Sequence, residues 1–366
     1  MIFSSAQVDI NLAALRHNFQ QVRALVGDKH PILAMIKANA YGHGLQEVAL
    51  TLSQANAFGV ANLSEAMDLR SVGITQPIVV MSGFNSALEL EYCSQYQFIP
   101  VVHHVLQVSL LENTHLSKPI SIYLKLDSGM TRLGFRSTEY LSVLKRLQTC
   151  ACVQGPIVLM THFADADSKN IAFTQLQYQR FVQLTANLSL PKSMANSAAI
   201  LAHTNTWADW IRPGLILYGV SPFRDSLGQN HHLQPVMTLT SRLIALKTIC
   251  KDETVGYGCT WRCPHDMDIA IAAIGYGDGY PWHAKHGTPV LLNGQRCPLL
   301  GRVSMDMIAI DISALKKVSL GDRVILWGES LPVEEIARCA QTIPYELLCN
   351  VTQRVQRHFS NESKHE

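Results

Sequence analysis

Pro31-Ile-Leu-Ala-Met-Ile-Lys-Ala-Asn-Ala-Tyr-Gly-His-Gly44 is the stretch from which the rest of this 366-residue chain can be read. Residues 31–36 are almost wholly apolar, and a single charge, Lys37, ends the run. A short apolar run bounded by turn residues reads as a strand buried on both faces. Asn39, Gly42 and Gly44 then end the strand and open a loop. A lysine at the edge of an apolar core has two uses. It can snorkel to solvent, which on position alone is the commoner case. It can also be desolvated, lose its proton and attack a carbonyl to form a Schiff base.

Outward from this strand, the pattern alternates. Residues 7–10 read as a short strand, and Leu12, Leu15, Phe19 and Val22 recur at helical spacing up to Gly27. Beyond Lys37, strands are expected at 57–61, 77–81, 97–102, 120–127, 157–163 and 192–196. Helices are expected at 45–54, from a Ser64 cap to Gly73, at 139–147 after a Ser137 cap, at 174–188 and at 197–202. Strands alternating with helices imply a parallel sheet, and about eight such units imply a closed (β/α)8 TIM-type barrel. For the eighth unit, residues 215–220 are apolar enough to be a strand. We prefer a short strand at 210–212, with Gly214 and Leu215 opening a helix.

The polar stretch 221–234 reads as a linker or hinge. After it, strands are expected at 237–249, 269–274, 290–292, 305–312 and 323–326, then a helix at 333–339 and a last strand near 350–355. The chain is therefore α/β: a barrel over 1–230 and a mostly β C-terminal domain over 231–366, with residues 1–10 pairing with the second domain. The tail 360–366 reads as frayed.

Composition narrows the function classes. A hydrophobic fraction of 48% with 16% charged residues belongs to a globular protein. The formal net charge of +2 gives no reason to expect a nucleic acid or an anionic membrane as partner. Nine scattered cysteines form no C-x-x-C pair, which argues against a zinc ribbon and for a reducing compartment. There is no signal-peptide pattern and no apolar run of membrane length, so a cytoplasmic location is expected.

Active sites of barrels lie at the C-terminal ends of the strands. The polar residues that interrupt apolar strands there are Lys37, Lys125 with Asp127, His162 and Asn196. Read singly, each has a plainer role. Arg132 suits a solvated loop, His162 a hydrogen-bonded strand end, Ser197 an ordinary helix cap and Arg212 a surface arginine before a turn proline. A metal reading of His162, Asp165 and Asp167 lacks a fourth ligand.

Taken together the blocks resemble one family. Ala34-Met-Ile-Lys-Ala-Asn-Ala-Tyr-Gly-His-Gly44, Lys125-Leu-Asp-Ser-Gly-Met-Thr-Arg-Leu-Gly-Phe135, Thr161-His-Phe-Ala-Asp165, Ala195-Asn-Ser-Ala-Ala199 and Arg212-Pro-Gly-Leu215 are similar, in order, to blocks of the bacterial alanine racemases. Val255-Gly-Tyr257, Gly275-Tyr-Gly-Asp-Gly-Tyr280, Gly301-Arg-Val-Ser-Met-Asp-Met307 and Pro344-Tyr-Glu346 continue the likeness across essentially the whole chain. The resemblance implies pyridoxal 5′-phosphate (PLP) carried by Lys37, with Tyr41, Ser197, Gly214, Leu215 and Tyr345 on its phosphate. Asn196 stands beside Ser197, and His162 and Arg212 lie under the ring. It implies Arg132 and the Met305 backbone on the substrate carboxylate, with Asp306 beside Met305 and Tyr276 at the entrance. It also implies carbamylation of Lys125 in many members.

Arg212 is the diagnostic residue in this likeness. A guanidinium has no acceptor and leaves the ring nitrogen unprotonated. Decarboxylases of the same fold place a carboxylate there. Lys37 and Tyr257 are implied as the two bases, one on each face of the substrate, with Tyr257 supplied by the partner of a homodimer. A tyrosine acting as a base needs a neighbouring positive charge, and Arg132 is the candidate. The implied activity is interconversion of L- and D-alanine, supplying D-alanine for peptidoglycan. A non-catalytic PLP-binding regulator would lack the β domain and its tyrosine. A broader-specificity racemase of the exported kind would carry a signal peptide. One departure stands out: Pro281-Trp282 occupies the place where many members have Pro-Arg.

Overall fold

Seven short parallel strands pair each with the next: Leu33–Met35, Ala57–Val60, Ile78–Val80, Phe98–Val102, Tyr123–Lys125, Val158–Met160 and Lys192–Ser193. An eighth closes the ring, because Trp210 bridges Ser193 on one side and Ile211 bridges Ile32 on the other. The closure uses Trp210 N to Lys192 O at 3.0 Å, Leu33 N to Ile211 O at 2.9 Å and Met35 N to Pro213 O at 2.9 Å. The short eighth strand is therefore the right reading, and Leu215–Tyr218 is a 3-10 turn. The computed structural model describes residues 6–361. The parts of the expectations for 1–10 and 360–366 that fall on 1–5 and 362–366 lie outside the described residues.

Helices cover the barrel from outside. Two caps differ from expectation. The helix Leu63–Ser71 is capped by Asn62, whose side chain accepts from Glu65 N at 3.0 Å, because Asn62 is extended while Ser64 already lies within the helix. The helix Ser137–Thr149 is entered from Arg136, whose N–H donates to the Glu139 side chain at 3.0 Å. Ser137 is its first helical residue.

The C-terminal domain is built on the 13-residue strand Met237–Ile249. One half pairs with Arg323–Trp327 and the other with Met267–Ala272, so six strands close on themselves. Strand Gln7–Asn11 adds to this sheet antiparallel to Met237–Ile249, and Gln356–Ser360 pairs parallel beyond it. The expected strand near 350–355 is thus displaced to Gln356–Ser360, behind the helix Pro344–Cys349 that the sequence reading does not contain. Ser360 ends this strand rather than fraying. The expected strand at 305–312 is confined to Ile308–Asp311, leaving Met305 in a loop. Two further strands, Thr254–Val255 and Trp261–Arg262, form a small hairpin around Tyr257. The stretch 221–234 is docked rather than hinge-like. The buried Glu334 carboxylate accepts from Ser221 N at 3.0 Å and Gly228 N at 2.9 Å.

Candidate active site

The run 32–36 is fully buried, as a two-faced strand requires. Directly after Lys37 the chain reverses hand. Ala38, Asn39, Ala40 and Tyr41 have φ of 55°, 52°, 53° and 53°. Four consecutive left-handed residues other than glycine cost about 1–2 kcal/mol each. The turn is held by Ala40 N to Ile36 O at 2.8 Å, Gly42 N to Ala38 O at 3.0 Å and Gly44 N to Asn39 O at 3.1 Å. Glu65 accepts from Asn39 N at 3.3 Å and Ala61 N at 2.7 Å, and Asn39 Oδ1 accepts from Leu45 N at 2.8 Å. Glu65 lies in the first turn of the helix Leu63–Ser71, and its hold on the lysine turn has no local signature in the sequence.

Arg212, 4% exposed, enters from the eighth strand. Its Nη1 donates to Ser193 Oγ at 2.6 Å, and its Nη2 to Thr161 O at 2.7 Å, Met194 O at 3.0 Å and His162 Nδ1 at 3.3 Å. Since only the guanidinium can donate, His162 Nδ1 accepts, and a neutral ring carries its proton on Nε2. Burial holds His162 well below the usual histidine range, reinforced by Arg212, Lys125, Arg132 and Lys37. Burial also draws Arg212 down to about 10.

The two lysines share this environment. Burial, then Arg132, lowers the Lys37 pKa, against Glu65 and Cys349. Burial, then Arg212, Arg132 and Lys37, draws Lys125 down to about 8, with Asp127 opposing. Arg132 rides on a loop shaped by Asp127, whose Oδ1 accepts from Gly129 N and Thr131 N, both at 3.0 Å. Four cationic side chains therefore face one mouth, an arrangement that calls for an anionic guest.

The residues expected to hold a phosphate lie beside it. Ser197 Oγ accepts from Gly214 N at 2.9 Å, and a Cβ on Gly214 would stand 2.5 Å from Tyr41 Oη. Tyr41 packs against Tyr218 and Tyr345 with ring centroids at 4.8 and 5.9 Å. Burial raises the pKa of both Tyr41 and Tyr345, the latter to about 12, so these hydroxyls keep their protons as donors. The Asn196 side chain is occupied as the cap of helix Ser197–Ala202, accepting from Ala199 N at 3.0 Å. Tyr218, absent from the sequence reading, donates to Met35 O at 3.0 Å and stacks on His43 at 4.4 Å.

The remaining predicted residues stand elsewhere in the chain. Tyr257 is 72% exposed in the small hairpin. Tyr276 and Met305 are 42% and 52% exposed on the C-terminal domain, with Asp306 beside them. Among the described residues none of these four forms a hydrogen bond or ion pair with Lys37.

Comparison with known proteins adds to this geometry. The family model described as alanine racemase, N-terminal domain, matches residues 10–222, and that described as alanine racemase, C-terminal domain, matches 236–359. A relative named alanine racemase from Coxiella burnetii is 54% identical over 360 residues, covering 96% of this chain and 98% of the relative. One from Nitrosococcus oceani is 47% identical over 351 residues, with the same coverage of 96% and 98%. The crystal structure of biosynthetic alanine racemase from Pseudomonas aeruginosa superposes with a TM-score of 0.95 at 39% identity, covering 98% of this chain and 100% of that one. With both family domains matched in order around the lysine mouth, the chain belongs to the alanine racemase family.

Proposed function

We propose that the protein is a PLP-dependent alanine racemase that interconverts L- and D-alanine and supplies D-alanine for peptidoglycan. The observation that carries this reading is the lysine mouth itself: Lys37 at a strand end, surrounded by Arg132, Lys125 and the buried Arg212. The near full-length likeness to proteins named alanine racemase supports alanine as the substrate.

The residues suit PLP. Tyr41, Ser197, Gly214, Leu215 and Tyr345 would hold its phosphate, Lys37 its carbonyl carbon, and the Nε–H of Arg212 its ring nitrogen. Among the described residues Nη1 and Nη2 of Arg212 have hydrogen-bond partners and Nε has none. When bound, PLP supplies the electron sink that acidifies the substrate α-proton. The protein does the rest. Arg212 cannot take up a proton, and His162 stays neutral beneath it. Arg132 and the Met305 N–H hold the substrate carboxylate. Lys37 Nζ, its pKa lowered by burial, takes or returns the α-proton on one face, and the Tyr257 hydroxyl serves the other.

Exposure of Tyr257, Tyr276 and Met305 in a single chain supports a homodimer in which they complete the partner's site. The lowered pKa of Lys125 beside three cations supports its carbamylation, which would place a carboxylate among them. A barrel over 1–230, whose strand Gln7–Asn11 pairs with the second domain, a β domain over 231–366 and a cytoplasmic location complete the proposal. Among the described residues no helix is long and apolar enough to cross a membrane.

The test is D-alanine formation from L-alanine by the purified protein with PLP, beside Lys37→Ala and Tyr257→Phe. The reading requires an active wild type, an inactive Lys37→Ala and a selectively slowed Tyr257→Phe. A wild type that binds PLP but makes no D-alanine sinks it.

A further inference from the structure

We infer that Arg354 is a positioning residue that locks the Tyr276 turn onto the Met305 loop and so aims the Met305 N–H. The inference rests on the proposed role of Met305 toward the substrate carboxylate.

The geometry starts at one peptide plane. Tyr276 N donates to Ser304 O at 3.1 Å, and Gly277 N to Met305 O at 2.9 Å. The Ser304 carbonyl and the Met305 N–H belong to the same planar, trans peptide unit and point in opposite directions. Binding the carbonyl from the turn side therefore directs the N–H away from the turn. No described group accepts from that N–H. The contact is intimate: a Cβ on Gly275 would meet Ser304 O at 2.1 Å and Met305 O at 2.3 Å.

Arg354 fastens the two segments from above. Its Nη2 donates to Asp306 Oδ1 at 2.7 Å, and its Nε lies 3.4 Å from Asp278 Oδ1. Asp278 Oδ2 in turn accepts from Gly275 N at 3.0 Å, at the start of the turn. Nη1 lies 2.5 Å from where a Gly277 Cβ would stand, so the guanidinium is seated on the turn. Thr352, two residues earlier, donates from its N–H to Asp278 O at 3.1 Å and from Oγ1 to Gly277 O at 3.0 Å. Remove the guanidinium and two carboxylates, one in each segment, are left without their shared cation. A lysine can serve one of them, but not both in the forked geometry.

The N–H would bind the carboxylate in substrate and transition state alike, so its misalignment raises KM more than it lowers kcat. Arg354→Met, Arg354→Lys, Asp306→Asn and the double variant Arg354→Met/Asp306→Asn are compared with wild type. The measurements are KM and kcat for L-alanine, bound-cofactor absorbance and melting temperature. Expected for Arg354→Met is a KM raised about tenfold with kcat within about threefold, and unchanged cofactor absorbance and melting temperature. Arg354→Lys recovers part of the loss. Asp306→Asn, a surface change that leaves the fold intact, moves KM the same way, and the double variant is no worse than Arg354→Met. An unchanged KM in Arg354→Met overturns the inference. So does a change in KM that tracks lost cofactor or a lowered melting temperature, or two effects that simply add. A wild type that makes no D-alanine overturns the functional reading and this inference with it, whereas an active wild type with an indifferent Arg354 overturns this inference alone.

Discussion

Replacing Gly214 by alanine tests the phosphate end with one methyl group. Gly214 has φ −127° and ψ −88°, so its sign of φ does not demand glycine. What excludes a side chain is Tyr41. The new Cβ would stand 2.5 Å from Tyr41 Oη where ordinary contact begins at 3.4 Å, a shortfall of about 0.9 Å. It would also meet Tyr41 Cζ at 3.2 Å. The tyrosine has little room to yield, since it is buried between the Tyr218 and Tyr345 rings. Relief by moving the backbone would instead stretch the 2.9 Å bond from Gly214 N to Ser197 Oγ. Either way one of the contacts proposed for the phosphate is lost. A hydrogen bond to a charged group contributes about 1.5–3 kcal/mol, so Kd for PLP should rise roughly 10- to 100-fold. The assay is titration of the cofactor-free protein with PLP, followed by absorbance. Gly214→Ala/Tyr41→Phe closes the cycle: if the clash acts through the hydroxyl, it should lose no more than Tyr41→Phe alone. A Kd within twofold of wild type, or losses that add, would refute the reasoning.

Two other perturbations follow from burial. With its pKa drawn down to about 8, Lys125 should be about half neutral at pH 8 and open to carbon dioxide; 13C-bicarbonate should give a carbamate signal in wild type that is absent from Lys125→Arg. A signal surviving that substitution would place the carbamate on another amine. His43, fully buried with no partner on Nε2 among the described residues, has its pKa lowered by burial to about 4. The unfolded chain therefore binds this proton first as pH falls. The resulting loss of stability is absent above about pH 6.5 and grows to roughly 3 kcal/mol by pH 4. Urea unfolding of His43→Phe should show a pH slope shallower by one proton in that window, and an unchanged slope would count against a buried neutral His43.

Much of the architecture could be read because it rests on repeated apolar patterns. Strand Met237–Ile249 and helix Val333–Cys339 have the expected bounds, since long elements with a buried face carry their own signal. The shared mouth of Lys37, Lys125 and His162 follows from barrel geometry, in which every strand delivers its C-terminal end to the same side, whereas Arg212 was placed there by the family resemblance alone. What was not legible depends on partners distant in sequence. Asn62 and Ser64 are both good cap residues, and only the extended backbone at Asn62 decides between them. The helix Pro344–Cys349 is six residues long, too short to show a period. Residues 221–234 look like a free connection until Glu334, more than 100 residues later, accepts two of their N–H groups. Glu65 and Arg354 carry no motif at all, because their importance lies in what they join.

The left-handed turn after Lys37 explains why that stretch is so unusual in composition. A lysine at a strand end could be placed by a helix or an ordinary loop at no backbone cost. Here the chain accepts several kcal/mol of strain over residues 38–41, and the packing around the turn accounts for it. Reversing hand brings Tyr41 back against Gly214 and sets Gly42 against the helix that carries Tyr345. A Cβ on Gly42, at φ 82°, would stand 2.1 Å from Leu348 O. Arg357 then ties the two segments, donating from Nε to Gly42 O and from Nη2 to Val351 O, both at 3.0 Å. The small residues at 38 and 40 keep the left-handed crowding tolerable, Asn39 is the residue type after glycine that best accepts this conformation, and Gly42 admits the incoming helix. One short turn thereby fixes Lys37, Tyr41 and Tyr345 relative to one another across two domains. The left-handed turn is what seats Gly42 on Leu348 O and Tyr41 against Tyr345, so relaxing its backbone would disturb both contacts, and the strain is inseparable from the site it builds.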